Sequence, residues 1–262
     1  MSAPREFADA LITRGEKAAK AFSYRAVLVV TLDIDWASED CIADVLDMLA
    51  SRGIRPTCFA THLSNELNSR LASGSIDIGL HPNFLAGSSH GTGEKAVFEH
   101  LAQIYPGATG FRSHSFADSS PVSLAAVNAG MQYDSNTCAF LSERIVPIWH
   151  WLGFWRFPVF WEDDIHWTAI ANWELPAVRA AVIAPGLKIV NLHPFNQALN
   201  IPTGEFYAAH KALAKTIDTA TIGERRHPGA GCRTFAEALL DEAQSARLEF
   251  MTMNQLVSSV TE

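Results

Sequence analysis

The sequence predicts an α/β protein whose parallel strands close into a barrel. Strand-like and helix-like segments alternate about seven times, a pattern typical of parallel βα units. The first strand-like segment, residues 26–32 (AVLVVTL), is an unbroken apolar run rich in β-branched residues, as expected for a strand buried on both faces. The chain has 262 residues and no linker-like or repeated segment. This length favours one barrel over an open sheet.

The first elements can be placed from local signals. Residues 6–20 predict a surface helix, so residues 1–25 are expected to be a helical extension of a single domain of residues 1–262. After the first strand, Ser38 is expected to cap a helix with acidic residues in its first turn, and Gly53 to end it.

The remaining elements follow in the same alternation. Pro121 suits the first position of a helix, and Thr234 with Glu237 forms a capping-box pattern ahead of the last long helix. Further helices are predicted at residues 64–73, 94–105, 121–130 and 234–246. Further strands are predicted at residues 57–61, 76–80, 110–112, 131–133, 154–160, 187–192 and 248–251.

Composition and charge narrow the functional classes. Twenty Lys and Arg against 28 Asp and Glu give a formal net charge of −8, which argues against a nucleic-acid partner. No apolar run reaches the roughly 20 residues of a membrane span, and residues 1–22 are too polar for a signal peptide. The four cysteines form no C-x-x-C pair. We therefore expect a cytoplasmic protein with reduced thiols.

Polar residues collect at the predicted strand ends. They are Asp33, Asp35, His81, Asn83, Arg112, His114, Asp134, Asn136, Asn191 and His193. In a parallel barrel the carboxyl ends of all strands meet on one face, which hosts the active site. We therefore expect these residues to converge there.

A divalent metal is the predicted occupant of this face. Asp33 and Asp35 point to the same side of their strand, and two close carboxylates need a cation or an Arg nearby. One of them could bind the metal while the other stays free as a base. With His81 and His114 they form a nitrogen and oxygen ligand set that suits Zn²⁺, and also Co²⁺, Ni²⁺ or Fe²⁺. Three protein ligands leave coordination positions open for catalysis.

Four of these segments resemble motifs of the polysaccharide deacetylase superfamily, also called the NodB-homology or carbohydrate esterase 4 group. They are TLDID ending at Asp35, His81, Arg112, and the pair Leu192-His193. The resemblance covers residues 26–260 and is greatest to a cytoplasmic branch linked to surface-polysaccharide biosynthesis. It implies a distorted (β/α)7 barrel that removes N-acetyl groups from sugars with a divalent metal. It also implies that Asp33 is the base, Asp35 a metal ligand and His193 the general acid.

The chain departs from the family pattern at two positions. Leu85 lies four residues after His81, where the family has its second histidine ligand. His114 lies two residues after Arg112, where the family has proline. We infer that His114 supplies the missing metal ligand and that Arg112 orients Asp33.

A tryptophan-rich segment is a candidate for sugar binding. Six of the seven tryptophans lie between residues 149 and 173, and aromatic faces stack on sugar rings. Alternatively, these indoles fill the core or a dimer interface. Trp161 and Asp163 are the sugar-binding candidates within this segment. Asn83 and Asn136 are further candidates, since backbone N–H groups near them could stabilise an oxyanion.

Three functional hypotheses remain open from the sequence. The first is a metal-dependent hydrolase that removes an N-acyl group, most simply N-acetyl, from a nucleotide- or lipid-linked sugar. The second is a metal-independent amidohydrolase or deformylase acting on a small amide. The third is a catalytically inactive sugar-binding barrel.

Overall fold

The computed structural model describes residues 3–170 and 172–261, which form an α/β fold. The strands are β1 Ala26–Asp33, β2 Thr57–Ala60, β3 Asp77–Leu80, β4 Gly110–Phe111, β5 Tyr133–Asp134, β6 Ile148–His150, β7 Phe154–Arg156, β8 Val159–Glu162, β9 Gly186–Leu192 and β10 Glu249–Met251. The α-helices are α1 Ala3–Phe22, α2 Glu39–Ala50, α3 Asn65–Ala72, α4 Glu94–Ile104, α5 Ser120–Asn128, α6 Asp163–Ala169, α7 Arg179–Ile183, α8 Pro194–Leu199, α9 Gly204–His210, α10 Thr219–Arg225, α11 Cys232–Ser245 and α12 Met253–Thr261. Short 3-10 helices cover His114–Phe116, Leu175–Ala177 and Lys211–Leu213.

The strands form one curled sheet in the order β6-β7-β5-β4-β3-β2-β1-β9-β8. The pairs between neighbours are parallel, except the antiparallel pair of β6 and β7. Strand β1 pairs with β9 along one edge, and with β10 and then β2 along the other. It therefore lies at the centre of the fold and is buried on both faces, as its apolar run predicts.

The sheet closes on itself just after β5. The Val159 N–H donates to the Thr137 carbonyl, and the Ala139 N–H donates to the Val159 carbonyl, both at 2.8 Å. Cys138 and Val159 thereby form a parallel bridge between the two ends of the sheet. The resulting ring contains β1 to β5, β8 and β9. The predicted distorted (β/α)7 barrel is confirmed.

Two local predictions are wrong in detail. The predicted strand 154–160 is broken before Pro158, which has no N–H for a sheet ladder, so that β7 pairs with β5 while β8 pairs with β9. Helix α11 begins at Cys232, so Thr234 is inside its first turn instead of at the cap. The Thr234 hydroxyl accepts the Gly231 N–H at 3.0 Å, and Glu237 instead pairs with Arg233.

The N-terminal helix is more buried than predicted. The end of α1 reaches the main hydrophobic core through Ala18 and Phe22, which are almost fully buried. Nearer its middle, the Arg14 guanidinium lies 4.3 Å above the ring of Trp149. Helix α1 therefore packs against β6 while keeping a polar outer face.

The carboxyl ends of β1, β3, β4, β8 and β9 surround one end of the barrel. Strand β1 ends in Asp33, and each of the other four is followed directly by a polar residue; these residues form the site described below. Within residues 3–170 and 172–261, no helix has the length and apolar character that crossing a membrane requires.

Candidate active site

Three side chains at the strand ends converge on one point, and we call them the metal triad: Asp35, His81 and His114. The Nδ1 atom of His114 lies 2.9 Å from Asp35 Oδ1, and the Nε2 atom of His81 lies 3.1 Å from the same oxygen. Hydrogen bonds with His114 and His81 hold the pKa of Asp35 well below its usual range, although burial alone would raise it. The structure thus brings together the three predicted metal ligands.

The backbone beside the metal triad is strained. Asp35 and Trp36 have φ values of 45° and 56°, and Ser115 and Phe116, directly after His114, have values of 56° and 51°. Positive φ is uncommon for residues other than glycine, and for a bulky residue such as Trp it is an outlier. Strain of this kind persists where the surrounding fold enforces it and clusters at functional sites.

The donor set of the metal triad fits a divalent metal. It offers one carboxylate and two imidazoles, the ligands expected for zinc and its neighbours in the transition series. His81 Nδ1, which is buried and lacks a hydrogen-bond partner among the described residues, lies 3.7 Å from Asp33 Oδ1. A second ring nitrogen facing a carboxylate is the usual arrangement for a metal-bound histidine.

Asp33 is held by two side chains from other strands. Arg112 Nη1 donates to Asp33 Oδ1 at 2.9 Å, and Asn191 Nδ2 donates to Asp33 Oδ2 at 3.0 Å. Asp33 and Arg112 are both buried, at 3% and 0% exposure. Each oxygen of the Asp33 carboxylate therefore has a defined donor, which fixes the plane of the group.

Arg112 is itself fixed by its surroundings. Its Nε donates to the Ser135 carbonyl at 3.1 Å, and its Nη2 to the Ser135 hydroxyl at 2.8 Å. Its Nη1 also donates to the Thr31 hydroxyl at 2.9 Å. The guanidinium lies 4.6 Å above the ring of Phe59. These contacts satisfy a charge that would be costly to bury alone.

His193 is bonded to Asp163, which follows β8. Its Nδ1 lies 2.7 Å from Asp163 Oδ1, and its backbone N–H donates to Asp163 Oδ2 at 3.0 Å. Asn196 and Gln197 of α8 donate to the same carboxylate at 3.1 and 2.8 Å. Burial alone would lower the pKa of His193, but Asp163 raises that pKa well above its ordinary value. Asp163 therefore favours the protonated form of His193.

A cavity of about 110 Å³ joins these groups to the surface. Its wall includes Asp35 and His193 from the site and an aromatic pair, Trp167 and Tyr207, whose rings lie 5.8 Å apart. His193 Nε2 lies 3.7 Å from Asp35 Oδ2, on the side of the ring away from Asp163. The cavity therefore gives a small molecule access to Asp35 of the metal triad and to His193 together.

Four of the predicted substrate-binding residues lie elsewhere or have other partners. Trp161 is fully buried, and its Nε1 donates to His166 Nδ1 at 2.9 Å, so it does not face a sugar. Asp163 is fully buried and positions His193. The Asn83 N–H donates to His90 Nδ1 at 3.1 Å. The Asn136 side chain accepts the Ser113 N–H at 2.7 Å, so it braces the loop that carries His114.

Sequence reasoning missed several residues of the site. Asn191 was placed at a strand end without a role, and Thr31 and Ser135 were given no role in the site. Thr31 lies two positions before Asp33, and Asn191 lies two positions before His193. Strand alternation could therefore have placed each on the same face as its neighbour. Ser135 carries no comparable signal, because its role depends on the position of Arg112.

The fold and the metal triad define a deacetylase-type barrel of the NodB class. The chain belongs to the WbmS-like polysaccharide deacetylase family, whose model matches residues 30–211, more than half of its length. The resemblance inferred from the motifs is thereby confirmed. No curated protein sequence matches the chain significantly.

Solved structures share the fold. A Bordetella bronchiseptica protein assigned as a polysaccharide deacetylase of O-antigen biosynthesis is 24% identical, with a TM-score of 0.73 over 84% of this chain and 92% of its own. A Mycobacterium smegmatis protein assigned as a polysaccharide deacetylase is 14% identical, with a TM-score of 0.55 over 91% of each chain. A Bacillus anthracis pseudoenzyme of carbohydrate esterase family 4 is 12% identical, with a TM-score of 0.46 over 90% of this chain and 66% of its own.

Proposed function

We propose that this protein is a metal-dependent hydrolase that removes an N-acetyl group from a sugar used in bacterial surface-polysaccharide synthesis. The observation that carries the proposal is the convergence of three functional groups at one end of the barrel. These are a clamped carboxylate at Asp33, the metal triad, and the buried His193 bonded to Asp163. Amide hydrolysis needs a base, an electrophile and an acid, and these three groups supply them.

Asp33 is the base in this proposal. The Arg112 and Asn191 donors fix its carboxylate beside the metal triad, where it can take a proton from the attacking water. Because the carboxylate is preorganised, little reorientation is needed during the reaction. General-base catalysis of this kind contributes about 10²–10⁴ in rate.

His193 is the acid. Asp163 occupies its Nδ1, so its Nε2 is the nitrogen that can donate a proton into the cavity. The proton goes to the leaving nitrogen as the carbon–nitrogen bond breaks, and the acetyl carbon keeps the new bond to the water oxygen. The balanced products are acetate and a sugar ammonium.

Asp35, His81 and His114 would hold the metal, for which zinc is the first choice and cobalt, nickel or iron are alternatives. A divalent ion in this place supplies Lewis-acid chemistry, which polarises an acyl carbonyl and makes water easier to deprotonate. The ring nitrogens of His81 and His114 then bind as neutral imidazoles.

The substrate in this proposal is a sugar carried on a nucleotide or a lipid, and the reaction takes place in the cytoplasm. The family to which the chain belongs, and the assignment of the Bordetella protein to O-antigen synthesis, support a surface-glycan precursor. The paired rings of Trp167 and Tyr207 suit contact with a sugar ring.

The test is release of acetate or formate from a panel of N-acylated nucleotide sugars and lipid-linked sugars. We expect acetate release by the metal-loaded protein, and a loss of about 10²–10⁴ in kcat for Asp33→Asn. Asp9→Asn, on the exposed face of α1, is the matched control and should keep full activity. Full activity of Asp33→Asn would refute the mechanism. Turnover that survives metal removal, or binding without turnover, would favour the alternatives of an amidohydrolase or an inactive binder.

A further inference from the structure

Two carboxyl groups beside His193 have no role in the chemistry described so far. Glu162 ends β8 and Asp164 lies in the first turn of α6, on either side of Asp163. We call Glu162 and Asp164 the carboxyl pair. One oxygen of each, together with a ring nitrogen of His193, lies within 4.8 Å of the other two.

The carboxyl pair is incompletely satisfied. Glu162 is 4% exposed, yet its Oε2 has no hydrogen-bond partner among the described residues. The Oδ1 of Asp164 is likewise buried and lacks a partner in the part of the chain that the structure describes. Buried polar atoms are nearly always paired in native proteins, and unpaired ones indicate a missing partner or ligand.

The missing partner is a hydrogen-bond donor that enters by the cavity. Asp164 and His193 both line the cavity, so a molecule bound there can reach them. Burial and the neighbouring Asp164 raise the pKa of Glu162 well above its usual range. A single ammonium or amide N–H group suits the two unpaired carboxyl oxygens.

A second metal ion fits this position less well. Asp163 occupies His193 Nδ1, so a metal would need the other ring nitrogen. That nitrogen, Nε2, lies 3.7 Å from Asp35 Oδ2 of the metal triad. The arrangement is therefore better suited to a nitrogen that receives a proton from His193.

We propose that Glu162 and Asp164 form an amine-recognition subsite, which accepts hydrogen bonds from the substrate's N-acyl nitrogen and from the ammonium of the deacylated product. This inference rests on the proposed function and assigns the pair a role in substrate selection. A leaving nitrogen must come within about 3 Å of the proton-donating atom of His193. We place this nitrogen between His193 and the carboxyl pair, because one ring nitrogen of His193 lies within 4.8 Å of an oxygen of each carboxyl.

The subsite makes the enzyme select amides over esters. An ester oxygen in the same place carries no hydrogen, so it would leave two buried acceptors unpaired and facing another oxygen. For this reason, a site that forms a hydrogen bond with a substrate N–H group discriminates against an ester, which lacks that group. The pair is therefore a specificity determinant, while the proton transfer itself stays with His193.

The experiment compares Glu162→Gln and Asp164→Asn with wild type in two assays on the metal-loaded protein. The first is calorimetric or NMR titration with glucosamine and with glucose. We expect wild type to bind glucosamine about tenfold more tightly than glucose, as one charge-assisted hydrogen bond allows. Either variant should reduce this preference to about twofold or less, and Glu224→Gln, an exposed change on α10, should keep it.

The second assay measures hydrolysis of matched N-acetyl and O-acetyl sugars. We expect each variant to lose at least about tenfold in kcat/KM on the N-acetyl sugar and less than about threefold on the O-acetyl sugar. Three results would overturn the proposal. They are equal losses on both substrates, an unchanged preference of the variants for glucosamine over glucose, and a second bound metal per chain that the variants remove. If wild type hydrolyses neither sugar, the proposed function fails, while the titration still decides the subsite. Should Glu162→Gln fail to fold, Asp164→Asn, at a half-buried position, provides the test.

Discussion

The bond between His193 and Asp163 determines which proton the site can donate. Asp163 is fully buried and accepts hydrogen bonds from four groups, including the ring and the backbone of His193. Its charge raises the pKa of His193 well above the ordinary value for histidine. The acid form therefore persists at pH values where a free histidine has lost its proton.

Asp163→Asn tests this coupling. The substitution keeps the shape of the side chain but removes its charge, so the pKa of His193 should fall. Because His193 acts in its protonated form, the alkaline limb of the kcat profile should move to lower pH, and kcat at pH 8 should drop by about 10–100-fold. The measurement is kcat against pH on an N-acetyl sugar, with Asp9→Asn as control. An alkaline limb that stays at the wild-type pH would contradict the assignment.

The sequence predicted the charged residues of the site but not all of their partners. Asp35, His81, Arg112, His114 and His193 each follow a recognisable strand, and their convergence follows from the barrel rule. Trp161 and Asp163 were assigned to sugar binding because composition cannot tell which face of a short strand or turn is buried. That information depends on how β8 pairs with β9, including the register shift between Val159 and Trp161.

Strand β4 shows how a short element can position catalytic groups. It has only two residues, Gly110 and Phe111, yet it leads directly into Arg112 and His114. A Cβ atom on Gly110 would lie 1.9 Å from the ring of Tyr133 on β5. Glycine is therefore required here for close approach between neighbouring strands.

Gly110→Ala should destabilise the barrel. The added methyl group overlaps a fully buried aromatic ring, and overpacking of this kind costs about 1–3 kcal/mol. We expect a fall of that size in the free energy of unfolding, measured by urea denaturation. Gly107→Ala, in the loop before β4 where a Cβ has no neighbour within 4 Å, is the matched control. Equal stability of the two variants would show that the strands can move apart.

The elements themselves were predicted unevenly. Helix α2 begins after Ser38, whose hydroxyl accepts the Cys41 N–H, as the local sequence predicts. Strands β7 and β8 were predicted as one. Pro158 indicates the edge or the end of a strand, but it does not indicate that the chain moves to another position in the sheet. Strand β6 was not predicted, since its antiparallel pairing is a tertiary feature.

At the scale of the whole molecule, the barrel brings together residues that are far apart in the chain. The bond from Thr31 to Asn191, for example, joins residues 160 positions apart. The hydrogen bonds that close the barrel involve Thr137 and Ala139, which lie outside every predicted strand. The sequence therefore predicted that the strand ends meet, while the route by which the sheet closes required the structure.

One buried charge should affect the stability of the whole fold. Lys188 in β9 is fully buried, with its Nζ 5.0 Å from the ring of Phe160. Burial lowers the pKa of Lys188 to about 8 from 10.5. Between pH 8 and 10.5 the unfolded chain binds this proton and the folded chain does not. The free energy of unfolding therefore decreases as the pH falls through that range.

Lys188→Met should therefore raise the free energy of unfolding at pH 7, by about 1–3 kcal/mol, since each pKa unit corresponds to about 1.4 kcal/mol. The gain should shrink as the pH rises from 8 to 10.5. Denaturant unfolding at several pH values measures it, with Lys95→Met on the exposed face of α4 as control. A constant difference across this range would show that the effect is packing alone.

The central claim is that Asp35, His81 and His114 hold a catalytic divalent metal, with His114 replacing the ligand absent at Leu85. Leu85 is 49% exposed, whereas His114 Nδ1 lies 2.9 Å from Asp35. The direct test is elemental analysis of the purified protein, of His114→Ala and of the control His100→Ala, an exposed histidine on α4. We predict about one divalent ion per chain in wild type and in the control, as expected for a single three-ligand site. His114→Ala should lose this ion. Unchanged metal content in His114→Ala would contradict the account.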